Sequence, residues 1–411
     1  MTTSAARPLA NRTYRRLFSA QVVALLGTGL TTVALTLLAY DLAGDDAGVV
    51  VGVALALKMV VYVFLAPLVT GLLAGRDRRR LLIGLDLARA ASVAAMPLVT
   101  QVWQVYVLIV LVNAGSAGFT PTFQATIPDV LPDEPTYTRA LSLSRLAYEL
   151  ENLLSPVLAA AMLAFVSYDG LFAANGVAFL GSAALVGSTR LPRHRPGPVD
   201  RSRWREVTAG TRRYLATPRL RGLLALNVAV ASASAMVIVN TVVFVRGRFG
   251  GDASDVAWAL GVSGAGAMVA ALATPALLDR VSDRSAMLAG GALLAGGLAL
   301  TGLVDRFDAL LAVWLLLGVG LSVVQTPAGR LVQRSGEQHE LPGLFAAQFS
   351  LSHAAWLVTY PLAGVLGGAI GLSAIAWLLA AVAAVAVVVA AVVWPPRARS
   401  GRRQAMSAPA A

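Results

Sequence analysis

Long apolar stretches recur along the whole chain and are separated by short polar segments. Each stretch has about twenty residues, enough for a helix to cross roughly 30 Å of hydrocarbon. Every backbone polar group must be paired inside a membrane, which only helices and closed barrels achieve. Because apolar and polar residues do not alternate with period two, the pattern predicts helices. We place twelve of them at 17–40, 48–74, 81–100, 103–126, 139–165, 170–189, 221–245, 254–278, 285–304, 307–329, 341–369 and 371–394.

One long polar segment, 190–221, divides the predicted helices into two sets of six. It contains ten arginines. We therefore predict a six-helix half at 1–189, a basic cytoplasmic linker at 190–221, and a second six-helix half at 222–411 with a short cytoplasmic tail. The first residues lack an apolar core followed by a cleavage site, so we expect the first helix to act as its own insertion signal.

The placement of basic residues predicts the orientation of the chain. Of 33 lysines and arginines, 27 fall in the segments that lie on one side if the N-terminus is cytoplasmic, and three fall in the opposite loops. Cytoplasmic loops are rich in these residues, so we expect both termini in the cytoplasm and the chain in the inner membrane. The net charge of +12 is then explained by contact with anionic lipid headgroups, not with nucleic acid.

Composition excludes several classes of protein. Only 13% of the residues are charged and 57% are hydrophobic, whereas soluble domains have roughly 25% charged residues. The sequence contains no cysteine and no Gly-Lys-Ser/Thr phosphate-binding loop, which argues against thiol chemistry and direct ATP drive. We expect no cofactor, no enzymatic activity and a monomer in the bilayer.

The two halves contain the same landmarks in the same order. In each half a Thr-Pro pair is followed by a Leu-Pro pair and then by a Ser-Leu-Ser segment that ends in a basic residue. The three offsets between the halves are 206, 210 and 208 residues. The repeat sets are 120–121, 131–132 and 142–145 in the first half, and 326–327, 341–342 and 350–353 in the second. Parallel six-helix halves of this kind are found in major facilitator transporters.

The segment 71–80 resembles the loop between helices two and three of the major facilitator superfamily. That loop has a glycine, an acidic residue and a basic cluster. Gly75 stands where the family has the acid, and Asp77 is expected to substitute for it; 278–280 is similar in the second half. The resemblance implies a twelve-helix major facilitator fold with gating residues at these loops and beside them. We expect these to be Gly71, Asp77, Arg78, Arg79, Asp86, Arg89, Asp279 and Arg280.

Within the superfamily, the chain resembles the bacterial exporters that include siderophore, macrolide and nickel-resistance permeases. Segments 103–106 and 119–128 are similar to the nickel-resistance group. The sequence departs from drug antiporters at 154–160, where the Gly-Pro-Gly pattern is degraded, and in 103–126, which lacks their arginine. The resemblance implies a secondary active exporter that works by alternating access, with protons as the driving ion and a small amphipathic compound as substrate.

Ionisable residues inside membrane helices are costly, so each is a functional candidate. The fifth helix holds Arg145, Glu149 and Glu151. Two interpretations remain open for Glu149: a carboxylate that loads and releases a proton, or a fixed i, i+4 pair with Arg145. Lys58, the only lysine, either reaches the central cavity and pairs with Glu149 or Asp41, or extends to the membrane interface.

His353 occupies the repeat position of Arg145 and is the only histidine within a predicted helix. It is a packing or protonatable residue, or one ligand of a nickel or cobalt site, since imidazole nitrogen suits these metals. The identity of any metal is left open. A metal-ion exporter is thus the alternative function, and a transporter-like receptor or scaffold that moves no substrate is an alternative of another class.

Overall fold

The computed structural model describes residues 7–43, 47–72, 76–192 and 203–396, and within them the chain is almost entirely helical. The helices are α1 (Arg12–Ala43), α2 (Ala47–Leu72), α3 (Arg78–Ala94), α4 (Val102–Val130), α5 (Glu134–Leu163), α6 (Tyr168–Gly187), α7 (Arg203–Ala216), α8 (Pro218–Val242), α9 (Ala253–Leu278), α10 (Asp283–Thr301), α11 (Phe307–Gln325), α12 (Ala328–Gln333), α13 (Leu341–Pro361), α14 (Gly367–Ile370) and α15 (Leu372–Val393).

Each of the twelve predicted membrane helices is present. Within the described residues, eleven helical spans are long and apolar enough to cross a membrane. The twelfth predicted span is α5, a 30-residue helix that carries the charged residues discussed below. We call the side on which α3, α5 and α10 begin the cytoplasmic side, following the prediction from charge.

The structure corrects the prediction at two places. The predicted helix 307–329 is two helices, because it breaks at Thr326 and Pro327 between α11 and α12. The linker also contains a helix, α7, whose Tyr214 side chain is fully buried and donates a hydrogen bond to Gln348 of α13. α7 packs on both α2 and α13. Because the linker contains many arginines, its sequence indicates a polar connecting segment and does not predict this amphipathic helix.

Side chains at the cytoplasmic loops begin several helices. Asp77 caps α3 by accepting from the amide of Arg80 at 2.9 Å, and Ser282 caps α10 through the amide of Ser285. Asp133 caps α5 and accepts from Thr136. The hydroxyl and amide hydrogen bonds of Thr136 hold the pKa of Asp133 below its usual value, so this carboxylate stays ionised at the helix start.

Two glycines bring α9 and α11 into backbone contact. A Cβ atom added to Gly318 would lie 2.0 Å from the carbonyl oxygen of Ser263, and one added to Gly266 would lie 2.4 Å from the carbonyl oxygen of Leu315. Small residues permit such close helix packing in membranes, where the hydrophobic effect contributes little between helices. The contact therefore depends on glycine at both positions.

We expect Gly318→Ala to lower the thermal unfolding temperature of the purified protein in detergent. The added methyl group meets backbone, which cannot move aside, so overpacking should cost about 1–3 kcal/mol. Gly296→Ala is the matched control, because a Cβ there meets nothing within 4 Å. Equal unfolding temperatures for the two variants would show that the α9–α11 contact is looser than the structure indicates.

The buried apolar residues form several cores. The largest contains residues from Tyr214 to Trp394 together with Ala125, and three others lie within the first 191 residues and Phe349. The first six spans also contact the last six, mainly through α2 with α13 and α5 with α9. At the α2–α13 contact, the Ser350 hydroxyl donates to the carbonyl oxygen of Val63. This distribution agrees with two halves, a division that we retain as a prediction.

Candidate functional site

The charged residues predicted on the second and fifth helices lie together between the two sets of spans. Arg145 and Glu149, one turn apart on α5, form an ion pair, and Glu149 is 8% exposed. Glu151 interacts electrostatically with Glu149 and with Lys58 of α2. We call Lys58, Arg145, Glu149, Glu151 and His353 the central cluster.

Arg145 also reaches the second half. Its Nη1 atom donates to Oε1 of Gln325, at the end of α11, over 2.6 Å. The guanidinium group therefore binds Glu149 on its own helix and Gln325 on a helix 180 residues away in sequence. The fixed i, i+4 pair considered for Glu149 is present, and it forms part of a contact between the halves.

Glu151 faces α1, separately from the Arg145–Glu149 pair. A Cβ atom added to Gly29 of α1 would lie 3.0 Å from Oε1 of Glu151 and 1.9 Å from the hydroxyl of Ser155. The glycine thus leaves room for both side chains. Among the described residues no arginine pairs with Glu151, so its negative charge is balanced less directly than that of Glu149.

Lys58 lies within the membrane span, but its partners differ from the predicted ones. Its Nζ atom is 5.7 Å from the ring centre of Tyr62, and it interacts electrostatically with Glu151. Asp41, one of the predicted partners, lies at the C-terminal end of α1, where it accepts a hydrogen bond from the Tyr168 hydroxyl at 2.6 Å. Lys58 therefore joins the central cluster through Glu151.

His353 lies in an aromatic group at the α2–α13 contact. Its ring centre is 4.9 Å from that of Tyr62, 4.2 Å from Phe349 and 5.1 Å from Trp356. Nδ1 donates to the carbonyl oxygen of Phe349 at 2.6 Å, which leaves Nε2 as its one nitrogen for another partner. The described residues bring no group of three or more His, Cys, Asp or Glu together as a metal site. This environment favours a packing role for His353.

An ion-pair network joins the halves at the cytoplasmic side. Asp283, the first residue of α10, is buried and lies 3.1 Å from Nε of Arg330 and 2.6 Å from Nη1 of Arg334. Arg334 also binds Glu134 of α5, with Nε 3.0 Å from Oε2. Nη1 of Arg330 lies 3.4 Å from Oε1 of Glu134. We call Glu134, Asp283, Arg330 and Arg334 the cytoplasmic lock.

Neutral side chains extend the lock. Arg330 donates to the hydroxyl of Thr138 on α5 at 3.3 Å, and Gln338 donates to Asp129 of α4 at 2.8 Å. Both bonds cross from the second half to the first. Together with the ion pairs they hold the cytoplasmic ends of the halves against each other.

The first half contains a counterpart of the Asp283–Arg334 pair, with the charges exchanged. Arg78 of α3 pairs with Asp129 of α4, while Asp283 pairs with Arg334, and each pair of equivalent positions is 205 residues apart. Arg78 also donates to the carbonyl oxygen of Ala125, the repeat position of Arg330. This offset of 205 differs from the 206, 210 and 208 of the sequence repeat, so the repeat indicated the region of the lock but not its residues.

Asp86 and Arg89 form a closed cluster inside the first half. They pair with each other on α3, and Asp86 also accepts from the Ser182 hydroxyl at 2.8 Å. The Arg89 guanidinium lies 4.2 Å from the ring centre of Phe119 and 4.4 Å from that of Phe179. Two ring faces and a carboxylate compensate the buried charge, so the cluster joins α3, α4 and α6.

The remaining predicted gating residues have local roles or exposed positions. Arg79 donates to the carbonyl oxygen of Gly187 and so caps the end of α6. Gly71 lies near the end of α2, while Gly75 is outside the described residues. Asp279 and Arg280 are exposed beyond the end of α9. In the second half, Asp283 pairs with Arg330 of α12 and with Arg334 at the end of that helix.

The model of a protein family described as "Transmembrane secretion effector" matches residues 3–335 of this chain. The chain belongs to this family of major facilitator transporters. It is therefore a multi-pass membrane transporter, and the twelve-helix fold expected from the resemblance is confirmed.

Two relatives represent the matches by sequence. The uncharacterized MFS-type transporter YfiS of Bacillus subtilis (strain 168) is 25% identical over 376 residues, which cover 87% of each chain. Macrolide efflux protein A of Streptococcus pyogenes is 22% identical over 182 residues, covering 43% of this chain and 44% of that protein. The transporter family is thus matched along most of the chain, and the macrolide relative along less than half.

Solved structures agree with the fold at low sequence identity. The human organic anion transporter MFSD10 superposes with a TM-score of 0.80 at 15% identity, over 92% of this chain and 99% of that one. A bacterial homologue of the iron transporter ferroportin, in an outward-facing state, gives a TM-score of 0.76 at 13% identity, over 92% and 98%. At such identities these likenesses establish the architecture alone.

Proposed function

We propose that this chain exports a small amphipathic compound across the inner membrane in exchange for protons, by alternating access. The observation that carries the proposal is the central cluster, in which two carboxylates, a lysine and an arginine lie within membrane-spanning helices. Buried charge of this kind is costly and is retained at ion and substrate pathways. The Arg145–Gln325 bond supports a site that both halves share.

The carboxylates of the cluster have different parts in this mechanism. Glu149 is neutralised by Arg145, and Glu151 lies beside Lys58 and against Gly29 of α1. We assign proton uptake and release to Glu151, because its charge is less directly balanced. Protonation would leave Lys58 without its anionic neighbour and so change the electrostatic field that a bound substrate meets.

The cytoplasmic lock supports alternation between two states. With Glu134, Asp283, Arg330 and Arg334 paired, the cytoplasmic ends are held together and this conformation is closed on that side. Rocking of the halves about the central cluster would break these pairs and admit substrate from the cytoplasm. The export direction and the amphipathic substrate are supported by the similarity to macrolide efflux protein A.

The proposal is tested in everted membrane vesicles that contain the wild-type chain and maintain an acidic interior. Adding a transported substrate should release protons, seen as dequenching of a pH-sensitive dye. We expect this response to macrolides or other amphipathic compounds, matched by growth protection of a sensitised host. Protection against nickel or cobalt alone would favour a metal exporter instead. If no compound in the panel produced either response, the export proposal would fail.

A further inference from the structure

The break between α11 and α12 connects the central cluster to the cytoplasmic lock along one short piece of chain. α11 ends at Gln325, Thr326 and Pro327 follow, and α12 begins at Ala328. Proline lacks a backbone donor and its ring opposes continuation of a helix, so the chain can bend at this point. A movement at the end of α11 therefore reaches α12 directly.

On the central side of the break, Gln325 accepts from the arginine that neutralises Glu149. Oε1 of Gln325 is 2.6 Å from Nη1 of Arg145. Nε of Arg145 is buried and has no hydrogen-bond partner among the described residues. The guanidinium group thus divides its donors between a carboxylate and a neutral amide. Hydrogen bonds to a charged acceptor are stronger than those to a neutral one. The charge of Glu149 therefore determines whether Arg145 binds mainly Glu149 or mainly Gln325.

On the cytoplasmic side of the break, the six-residue helix α12 presents the lock arginine Arg330, and Arg334 is the residue at its end. Both bind Asp283 in the second half and Glu134 in the first. A small rotation of α12 would therefore move both cations away from Glu134 at once. Such a short helix, bounded by a proline break, is suited to move as one unit.

We propose that Gln325 is a positioning residue that transmits the charge state of Glu149 to the cytoplasmic lock. When a proton taken up at Glu151 passes to the neighbouring Glu149, Arg145 loses its charged acceptor and keeps its bond to Gln325, which draws the end of α11 towards α5 and rotates α12 about the break. Arg330 and Arg334 then separate from Glu134, and the cytoplasmic side opens. This inference rests on the proposed function, since it assigns to Gln325 the link between the central cluster and alternating access.

A double-mutant cycle with a single reporter thiol tests this link. The chain has no cysteine, so Ser350→Cys would supply one thiol at the buried α2–α13 contact. We would measure its rate of maleimide labelling from the cytoplasmic side of everted vesicles. Glu149→Gln should raise this rate about fivefold or more, the lower end of typical coupling between sites. In the Gln325→Leu background, Glu149→Gln should leave the rate unchanged.

Two further variants separate transmission from a general loss of packing. Gln348→Leu removes another interhelical glutamine contact, to Tyr214, and should preserve the full response to Glu149→Gln. Gln325→Glu offers Arg145 a charged acceptor, so by the same argument it should raise labelling even when Glu149 is unchanged. Gln325→Asn, which is one methylene shorter, provides a milder form of the loss if the leucine variant folds poorly.

The inference is overturned if Glu149→Gln raises labelling equally with glutamine or leucine at position 325. It is also overturned if Glu149→Gln has no effect in the reporter chain. Transport by the wild-type chain is measured in parallel. If transport is present and the cycle shows no coupling, this inference alone fails. If transport is absent, the proposed function fails, while the cycle still reports whether Glu149 and the lock are linked.

Discussion

Glu151→Gln is expected to abolish substrate-dependent proton release while the protein remains folded in the membrane. Glutamine preserves the size of the side chain and fits the same space at Gly29, but it cannot carry a proton. The loss should amount to the whole coupling between proton and substrate, typically about 1–3 kcal/mol or 5- to 150-fold in binding. Substrate binding should persist and lose its dependence on pH.

The measurement compares dye dequenching in everted vesicles with pH-dependent binding of labelled substrate to purified protein. Glu337→Gln is the matched control, since that side chain is 81% exposed in a loop between α12 and α13. It should behave as the wild type in both assays. If Glu151→Gln released protons at the wild-type rate, the proton would have to be carried by another group, and Glu149 would be the next candidate.

Asp283→Asn is expected to open the cytoplasmic side. Asp283 is 7% exposed and binds two arginines at once, so its loss leaves both without the carboxylate that positions them. Removing one partner from a buried ion pair costs about 3–5 kcal/mol. Only the part of this cost that acts through the bonds of the arginines to Glu134 shifts the equilibrium between the two conformations, and each 1.4 kcal/mol of that part is about a factor of ten.

Labelling of the Ser350→Cys thiol from the cytoplasmic side should therefore become much faster with Asp283→Asn. The matched control is Asp308→Asn, which also removes an aspartate from an arginine pair. The side chains of Arg306 and Asp308 are 73% and 67% exposed, respectively. Solvent therefore screens this pair, and its loss should change labelling little. Labelling of the Asp283→Asn variant at the wild-type rate would show that the lock does not control access.

Much of the architecture could be predicted from run length and charge, because a bilayer imposes strong constraints on both. The helices follow from run length, and the Arg145–Glu149 pair follows from the i, i+4 spacing along one helix. The partners of Lys58 and Arg145 on other helices do not, since Gln325 is 180 residues from Arg145 and meets it only when the halves pack. Which helices adjoin is a property of tertiary packing.

The cytoplasmic lock was not predicted from the sequence, for a different reason. Arginines at cytoplasmic helix ends are abundant in any membrane protein of this orientation, so Arg330 and Arg334 resemble ordinary topology signals. The acidic residue of the loop motif was assigned to Asp279, whereas the start of α10 places Asp283 within reach of both arginines. Four residues, about one helical turn, separate an exposed carboxylate from a buried one.

The exchanged charges of the repeat bear on how the protein assembles. The ion pairs that cross between the halves join Glu134 to Arg330 and Arg334. A second copy of the first half would offer Asp129, the repeat position of Arg334, and so place a carboxylate against Glu134. The first half should therefore bind the second half more tightly than it binds another copy of itself. The charges that close the cytoplasmic side would thus also favour correct pairing of the two halves after each has inserted into the membrane.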